Sequence, residues 1–125
     1  MTGERNNQLY QPFTGNDIYR KIQRMIVYNI TIKIHPAIEK NWLPWQQQEH
    51  IPDIMATGQF TDYKFYRLLD QNEEDGITYI VQYFAPSVDH YNTYTNEFSE
   101  TLRQKAFARW GDKFIAFRTV MQVVD

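Results

Sequence analysis

Three features of the 125-residue sequence predict an α+β fold in which two helices cover one face of a four-stranded antiparallel sheet. Four segments carry the alternating or continuous apolar pattern of strands. Two longer segments repeat apolar residues every three or four positions, as amphipathic helices do. The segments follow one another in the order β-α-β-β-α-β, which is the ferredoxin-like, split-βαβ arrangement.

The first strand is predicted at residues 26–34, where large apolar residues alternate with smaller or polar ones. A helix is expected to begin at Pro36, because a proline at the first helical position forfeits no hydrogen bond. Positions at steps of three and four form one stripe along this helix: Ile38, Trp42, Trp45 and Glu49.

Prolines divide this first helical segment. Pro44 lies inside it and is expected to kink or restart the helix, because its ring displaces the preceding turn. Pro52 is expected to open a short second piece over residues 53–57, which Gly58 ends.

A hairpin is predicted in the middle of the chain. Residues 60–69 and residues 77–85 both read as strands, and the polar stretch at residues 70–76 between them reads as a turn. The two strands are therefore expected to pair.

The second helix and the last strand complete the order. Ser87 is a plausible N-cap, Gly111 closes the helix, and residues 114–124 form the fourth strand. The helical stripe consists of Tyr91, Tyr94, Phe98, Leu102, Ala106 and Trp110.

The third and fourth strands are apolar on both faces. Ile80 and Phe84 oppose the Val81 face of the third strand, and Phe117 opposes the Phe114 face of the fourth. Helices cover only one face, and a small domain rarely exposes so large an apolar patch on the other. We therefore expect a homodimer that packs sheet against sheet, with Phe117, Val81 or their opposite-face neighbours at the interface.

Composition excludes several classes of function. The chain has no cysteine, so disulfides, iron–sulfur clusters and thiolate zinc sites are excluded. Its formal net charge is −2, and no apolar run approaches the roughly 20 residues of a membrane helix. His35, His50 and His90 fall in separate segments without metal-ligand spacing. We expect no metal or other cofactor, no nucleic-acid partner and no membrane partner.

Residues 1–24 differ from the remainder in charge and composition. They carry a net charge of +2, whereas residues 25–125 carry −4. They lack both apolar periodicity and the continuous apolar core of a signal peptide, so we expect a cytoplasmic protein. We expect residues 1–24 to form a flexible extension, and residues 25–125 to form a single domain whose stability does not depend on it.

Segments distributed over residues 25–125 closely resemble a small bacterial family of unknown function in the dimeric α/β-barrel superfamily. The matching segments are MIVYNITIKI (25–34), the Trp42-x-x-Trp45 pair, EHIPDIMATGQF (49–60), TYIVQYF (78–84) and FIAFRTVMQVV (114–124). The resemblance implies the ferredoxin-like fold and a dimer. It implies no activity, because the family has none assigned.

His50 is the leading candidate for chemistry. On a straight helix it lies at the flank of the apolar stripe, near Leu43. A histidine at the edge of an aromatic groove can titrate near neutral pH and act as acid, base or ligand. A structural role also fits, with the ring bonded to a backbone carbonyl at the Pro52 break.

Five other residues are candidates for a ligand site. Trp42 and Trp45 either line a pocket for a flat ligand or pin the helix to the sheet. Gln82 and Arg118 interrupt apolar strands, and they either bind a ligand between two sheets or pair across the dimer. Tyr83, like the other strand tyrosines, is expected to hold its hydroxyl at a rim.

Two functions known for the same element order fit poorly. RNA-recognition domains carry a basic and aromatic motif on the third strand, and residues 75–82 lack its key positions. Relatives that degrade haem use an Asn on the first strand, a His on the second long helix and a Trp in the sheet. Asn29 and His90 match the first two positions, but no predicted strand contains a Trp.

We therefore expect a cytoplasmic homodimeric binding or structural module, with a small-molecule cavity as its candidate site. The alternative is an enzyme of the monooxygenase or isomerase type that uses His50 or Asn29 together with Arg118.

Overall fold

The computed structural model describes residues 24–125, which form one four-stranded sheet covered by helices. Neighbouring strands are antiparallel and are ordered β2-β3-β1-β4, so the predicted ferredoxin-like fold is confirmed. The extension expected at residues 1–24 falls on residues 1–23, which lie outside the described residues, and on Arg24. The strands are β1 (Ile26–Ile34), β2 (Asp62–Arg67), β3 (Ile77–Ala85) and β4 (Phe114–Gln122).

Strands β1 and β3 have the predicted bounds, whereas β2 and β4 are shorter than predicted. Phe60 precedes β2 and is buried in the core. Leu69 lies beyond the end of β2 with 71% of its surface exposed, next to Asp70, whose φ is +58°. The left-handed conformation of Asp70 turns the chain away from the sheet, so the apolar character of Leu69 does not extend the strand.

The first helical segment is continuous but irregular. It begins with a 3₁₀ turn (Pro36–Ile38) and continues as α1 (Glu39–Trp45), a π turn (Gln46–His50) and α2 (Ile51–Met55). Pro44 lies inside α1 without ending it. The short last piece begins one residue before Pro52, slightly earlier than predicted, and Gly58 follows it with a φ of +78°.

The second helical segment consists of α3 (Val88–Glu97) and α4 (Ser99–Trp110), which Phe98 separates. Ser87 caps α3 as predicted, because its hydroxyl accepts a hydrogen bond from the His90 amide at 3.3 Å. Gly111 ends α4 with a φ of +59°, a conformation that glycine adopts without strain. In the part of the chain that the structure describes, no helix is long and apolar enough to cross a membrane.

The sheet has an inner face, which the helices cover, and an outer face. On the central strand β1, the buried residues Ile26, Tyr28, Ile30, Ile32 and Ile34 belong to the inner face. They pack with inner-face residues of β3 and with Trp42, Trp45, Ile51, Ile54, Tyr94, Leu102 and Ala106 of the helices. The main hydrophobic cluster therefore lies on the inner side of the sheet, whereas Val27 of β1 is buried on the outer face.

The outer face carries exposed apolar side chains on β4. Ile115, Phe117 and Met121 are 53%, 61% and 42% exposed. Val81, in contrast, is 0% exposed and belongs to the inner face. The expectation that Val81 lies at an interface is therefore wrong, whereas its outer-face neighbours Ile80 and Phe84 remain partly accessible.

A polar cluster joins α1 to the β2–β3 hairpin. The Tyr79 hydroxyl donates to Glu39 Oε2 at 2.6 Å, and Arg67 donates to the same oxygen at 2.8 Å. Arg67 also pairs with Glu73 in the hairpin turn at 2.8 Å. Burial, reinforced by the hydrogen bond to Glu39, raises the pKa of Tyr79 to about 12, so its hydroxyl remains a donor at neutral pH.

Replacing Tyr79 by Phe should lower the free energy of unfolding by about 1–2 kcal/mol, because the hydroxyl donates to a charged carboxylate. Urea denaturation measures the change. Tyr63→Phe, at an exposed tyrosine of β2, is the matched control and should change stability by less than about 0.5 kcal/mol. Equal effects of the two exchanges would show that the Glu39 contact contributes nothing.

Candidate functional site

A partly enclosed cavity of about 50 Å³ lies between the inner face of the sheet and the helices. All three tryptophans of the chain line it, together with a few polar side chains. An apolar wall with a small number of polar groups is typical of small-molecule sites. The strands contribute Ile30, Ile32, Phe114, Ala116 and Arg118, and the helices contribute Trp42, Trp45, Gln46, His50, Arg103, Ala106 and Trp110.

The π turn places His50 on Trp45. Their rings stack with centroids 4.7 Å apart and planes inclined by 17°. In a regular α-helix, residues five positions apart point about 140° away from each other. In a π turn, five residues complete roughly one turn, so the two side chains lie on the same side.

The hydrogen bonding around Pro52 accounts for the π turn. The Ile51 amide bonds to the Gln46 carbonyl, five residues earlier. Pro52 has no amide hydrogen, and in a regular helix its ring would clash with the carbonyl four residues earlier. One extra residue in the turn relieves that clash. The irregularity thus lies where Pro52 was predicted to interrupt the helix. The helix does not end there, however, but continues through a widened turn.

His50 is electrically neutral at neutral pH. Desolvation by burial lowers its pKa from the ordinary value of 6.5 to about 4. Asp53 raises the pKa, whereas the positive charges of Arg118 and Lys105 lower it, and burial outweighs them all. Within residues 24–125, the His50 ring bonds no backbone carbonyl, so the contact that positions it is the stack on Trp45.

Two arginines line the cavity from opposite sides. Arg103 comes from α4 and Arg118 from β4. Arg103 donates to the Tyr28 hydroxyl at 3.4 Å, a long hydrogen bond. The ion pairs formed among the described residues include neither arginine. Both therefore bring positive charge to the wall without a carboxylate to balance it.

Two further polar groups of the wall are buried. The indole nitrogen of Trp110 is buried and has no hydrogen-bond partner in the structure. Gln46, in the π turn, is 2% exposed and lines the same cavity. A buried polar group that lacks a partner destabilises a fold, so the unpartnered nitrogen of Trp110, a residue of the cavity wall, indicates a role beyond packing.

Sheet register separates Arg118 from Gln82. Arg118 aligns with Ile30 on β1 and belongs to the inner face, whereas Gln82 aligns with Asn29 on the outer face. Gln82 donates to the Asn29 side chain at 3.3 Å and accepts from Tyr66. The expectation that Gln82 and Arg118 share a site between two sheets is therefore wrong for Arg118. His50 lies near Arg118 but across the sheet from Asn29.

Tyr83 lies in the core instead of at a rim. It is 0% exposed, and its hydroxyl is buried without a hydrogen-bond partner in the structure. Burial raises its pKa well above the ordinary value, and the neighbouring tyrosines add to the effect. The expected position at a rim is wrong because Phe60, which precedes β2 in the chain, packs on the Tyr83 ring with the two ring centroids 5.2 Å apart.

The other two histidines have local roles. His35 Nδ1 accepts a hydrogen bond from the Ala37 amide at 3.0 Å and so caps the first helical turn. His90 Nδ1 lies 2.7 Å from the Ser87 hydroxyl at the start of α3. His90 and Asn29 lie on opposite sides of the sheet, so the incomplete haem-type motif does not assemble. Among the described residues, no cluster of three or more His, Cys, Asp or Glu is placed to hold a metal ion.

Sequence reasoning missed three residues that bring polar groups to the wall, namely Gln46, Arg103 and Trp110. Gln46 follows Trp42 by four positions, and Arg103, Ala106 and Trp110 follow one another at steps of three and four. This spacing places each set on one helical face. The helical spacing was therefore visible in the sequence. It was not used because polar residues beside an apolar stripe usually face solvent.

Comparison with known proteins gives a family without an assigned activity. A family model described as "Domain of unknown function (DUF4286)" matches residues 25–124. No curated protein matches the chain.

Solved structures of similar fold are distant in sequence. A dimeric ferredoxin-like protein from an uncultured marine organism aligns with a TM-score of 0.63 and 8% identity, over 81% of this chain and 96% of that one. SnoaB, a cofactor-independent oxygenase from Streptomyces nogalater, aligns with a TM-score of 0.58 and 7% identity, over 82% and 95%. An EthD-like protein from Ralstonia eutropha aligns with a TM-score of 0.57 and 15% identity, over 82% and 95%. At these identities, the likeness establishes the fold alone.

The low pKa of His50 predicts a pH-dependent contribution to stability. In the unfolded chain, His50 binds a proton as the pH falls below its ordinary pKa of 6.5. In the folded protein, His50 binds that proton only at about pH 4. Stability should therefore fall by roughly 2–3 kcal/mol over this interval and show no further His50 effect at lower pH.

Denaturation curves of the wild type and His50→Gln between these pH values test this expectation. The variant should lack that part of the pH dependence. His90→Gln, at an exposed histidine, is the control and should follow the wild-type curve. If His50→Gln also followed it, His50 would be freely protonated in the folded protein.

Proposed function

Because the chain belongs to the DUF4286 family of domains of unknown function, we propose its function from its geometry: it is a homodimeric small-molecule-binding domain. The ligand site is the cavity between the inner face of the sheet and the helices. The observation that carries the proposal is the wall itself, where His50, Arg103, Arg118 and Trp110, whose N–H is buried without a partner, line one mostly apolar space.

The geometry supports binding better than catalysis. A general base works best with a pKa near the ambient pH, and His50, with a pKa of about 4, is a weak base. The alternative enzyme was expected to use His50 or Asn29 together with Arg118, and Asn29 lies on the other face of the sheet. SnoaB is described as a cofactor-independent oxygenase, and its likeness to this chain at 7% identity lends that chemistry little support.

Ligand binding can be tested with acetate and acetamide, two small probes of the same shape. At least one of them should shift the indole N–H signals in the NMR spectrum, because Trp42, Trp45 and Trp110 line the cavity. Ala106→Leu should abolish the shifts, because the larger side chain fills the space. Ala116→Val is a second filling variant in case the first does not fold.

The control for this experiment is Ala56→Leu, at an exposed alanine outside the cavity. It should leave the probe-induced shifts unchanged. Absence of any shift with either probe, or shifts that survive both filling variants, would contradict the cavity as the ligand site.

Dimerisation through the outer face is proposed from its exposed apolar residues. Ile115, Phe117 and Met121 form an apolar row on β4, and a second copy packed sheet against sheet would bury it. One structure of similar fold is described as dimeric, which is consistent with this arrangement. A cytoplasmic location, and the absence of a nucleic-acid or membrane partner, remain predictions.

The dimer can be tested with two matched exchanges. Phe117, on the outer face, is 61% exposed, and Phe107, on α4, is 65% exposed. Phe117→Lys should convert the dimer to a monomer, because it places a charge in the apolar interface. Phe107→Lys should leave the dimer intact. Light scattering measures the mass, and a wild-type monomer at micromolar concentration would refute the proposal.

A further inference from the structure

The cavity wall carries unbalanced positive charge. Arg103 and Arg118 line it, and none of the described residues that line it is an aspartate or glutamate. The whole chain has a formal charge of −2, so a general surplus of basic residues does not explain this. Both arginines also reach solvent, and the positive charge that they bring to the cavity wall favours an anion there.

The carboxylate that acts on His50 does not balance these charges. Asp53 forms an ion pair with Lys105 at 3.5 Å. Both residues line an adjoining open groove and not the cavity itself. Asp53 is therefore held by another cation and leaves Arg103 and Arg118 free to receive a ligand.

A neutral donor adds to the two cations. The ring of Trp110 lines the cavity, its indole N–H is buried without a partner in the structure, and a buried donor left unpaired destabilises the fold. An indole nitrogen can only donate, so the group that satisfies it must bring an acceptor oxygen or nitrogen. An anionic oxygen beside the Trp110 ring would satisfy this N–H as well as the arginines.

Size and shape narrow the class of anion. A cavity of about 50 Å³ has room for roughly four water-sized groups. A carboxylate with one or two carbon atoms behind it occupies such a space. Indole rings flank it, and a planar group lies against them more readily than a tetrahedral phosphate. Arginine binds a carboxylate, as it binds a phosphate, through two parallel hydrogen bonds, so the choice between the two anions rests on size and planarity.

We propose that the cavity binds the carboxylate end of a small organic acid, with Arg118 and Arg103 supplying the positive charge and Trp110 a hydrogen bond. This assignment rests on the small-molecule-binding function proposed above and adds the ligand class. A longer acid extends past Trp45 and His50, since both residues also line the adjoining groove of about 310 Å³.

The test is an NMR titration of the full chain at neutral pH. Sodium acetate replaces sodium chloride at constant ionic strength, and acetamide, its uncharged isostere, is titrated in parallel. The signal is the Trp110 indole N–H, assigned with Trp110→Phe. Acetate should bind at least about tenfold more tightly than acetamide, because a charge-assisted contact is stronger than a neutral one.

Variants connect this preference to the arginines. Arg118→Gln should reduce the preference for acetate to less than about threefold, and Arg118→Lys should retain part of it. If Arg118→Gln does not fold, Arg103→Gln provides the same test. Lys40→Gln, which removes a positive charge from an exposed position of α1, should leave the preference unchanged.

Three results would overturn the assignment. Equal binding of acetate and acetamide would refute the carboxylate while leaving a cavity that binds small molecules. Tighter binding of inorganic phosphate than of acetate would refute the choice of carboxylate over phosphate. No response to either small probe would remove the proposed function as well as the assignment.

Discussion

The register of the central strand β1 determines where every candidate residue lies. β1 pairs with β3 on one side and β4 on the other, so a single alternation assigns the residues of three strands to two faces. Ile30 aligns with Val81 and Arg118, which places an arginine beside the helices. A slip of β1 by one residue would turn its buried isoleucines to the outer face, and a slip of β4 would turn Arg118 away from the helices. Burial of the β1 isoleucines therefore fixes the face of the central strand, against which β4 is aligned.

The helical side of the cavity depends on a local irregularity. The π turn before Pro52 brings His50 onto Trp45, whereas a regular helix would separate these two side chains around its axis. The widened turn sacrifices regular hydrogen-bond geometry, and π turns of this kind often occur at functional sites. Trp45 also contacts the Trp110 ring edge to face at 5.6 Å, so the irregular turn is packed firmly against α4.

Much of this architecture could be predicted from the sequence, because it follows from periodicity. The bounds of β1 and β3 were predicted correctly, since β1 alternates cleanly, β3 is a largely apolar run, and both end just before a proline-containing turn. The inner position of Arg118 also follows from alternation, because it is an even number of residues from Phe114. The sequence could not reveal the π turn, which changes the helical register by one residue. Burial of the Tyr83 and Trp110 polar atoms depends on contacts between elements far apart in the chain, and no local pattern encodes these contacts.

The placement of all three tryptophans in one wall also determines what optical methods can detect in this protein. Indole emission responds to the polarity around the ring. It therefore reports on changes at the junction between the sheet and the helices, and hardly at all on changes at the outer face. Backbone circular dichroism, in contrast, averages over every strand and helix. If the helices separate from the sheet before the strands come apart, the emission changes first. The two signals together would then distinguish loosening of the cavity from melting of the whole domain.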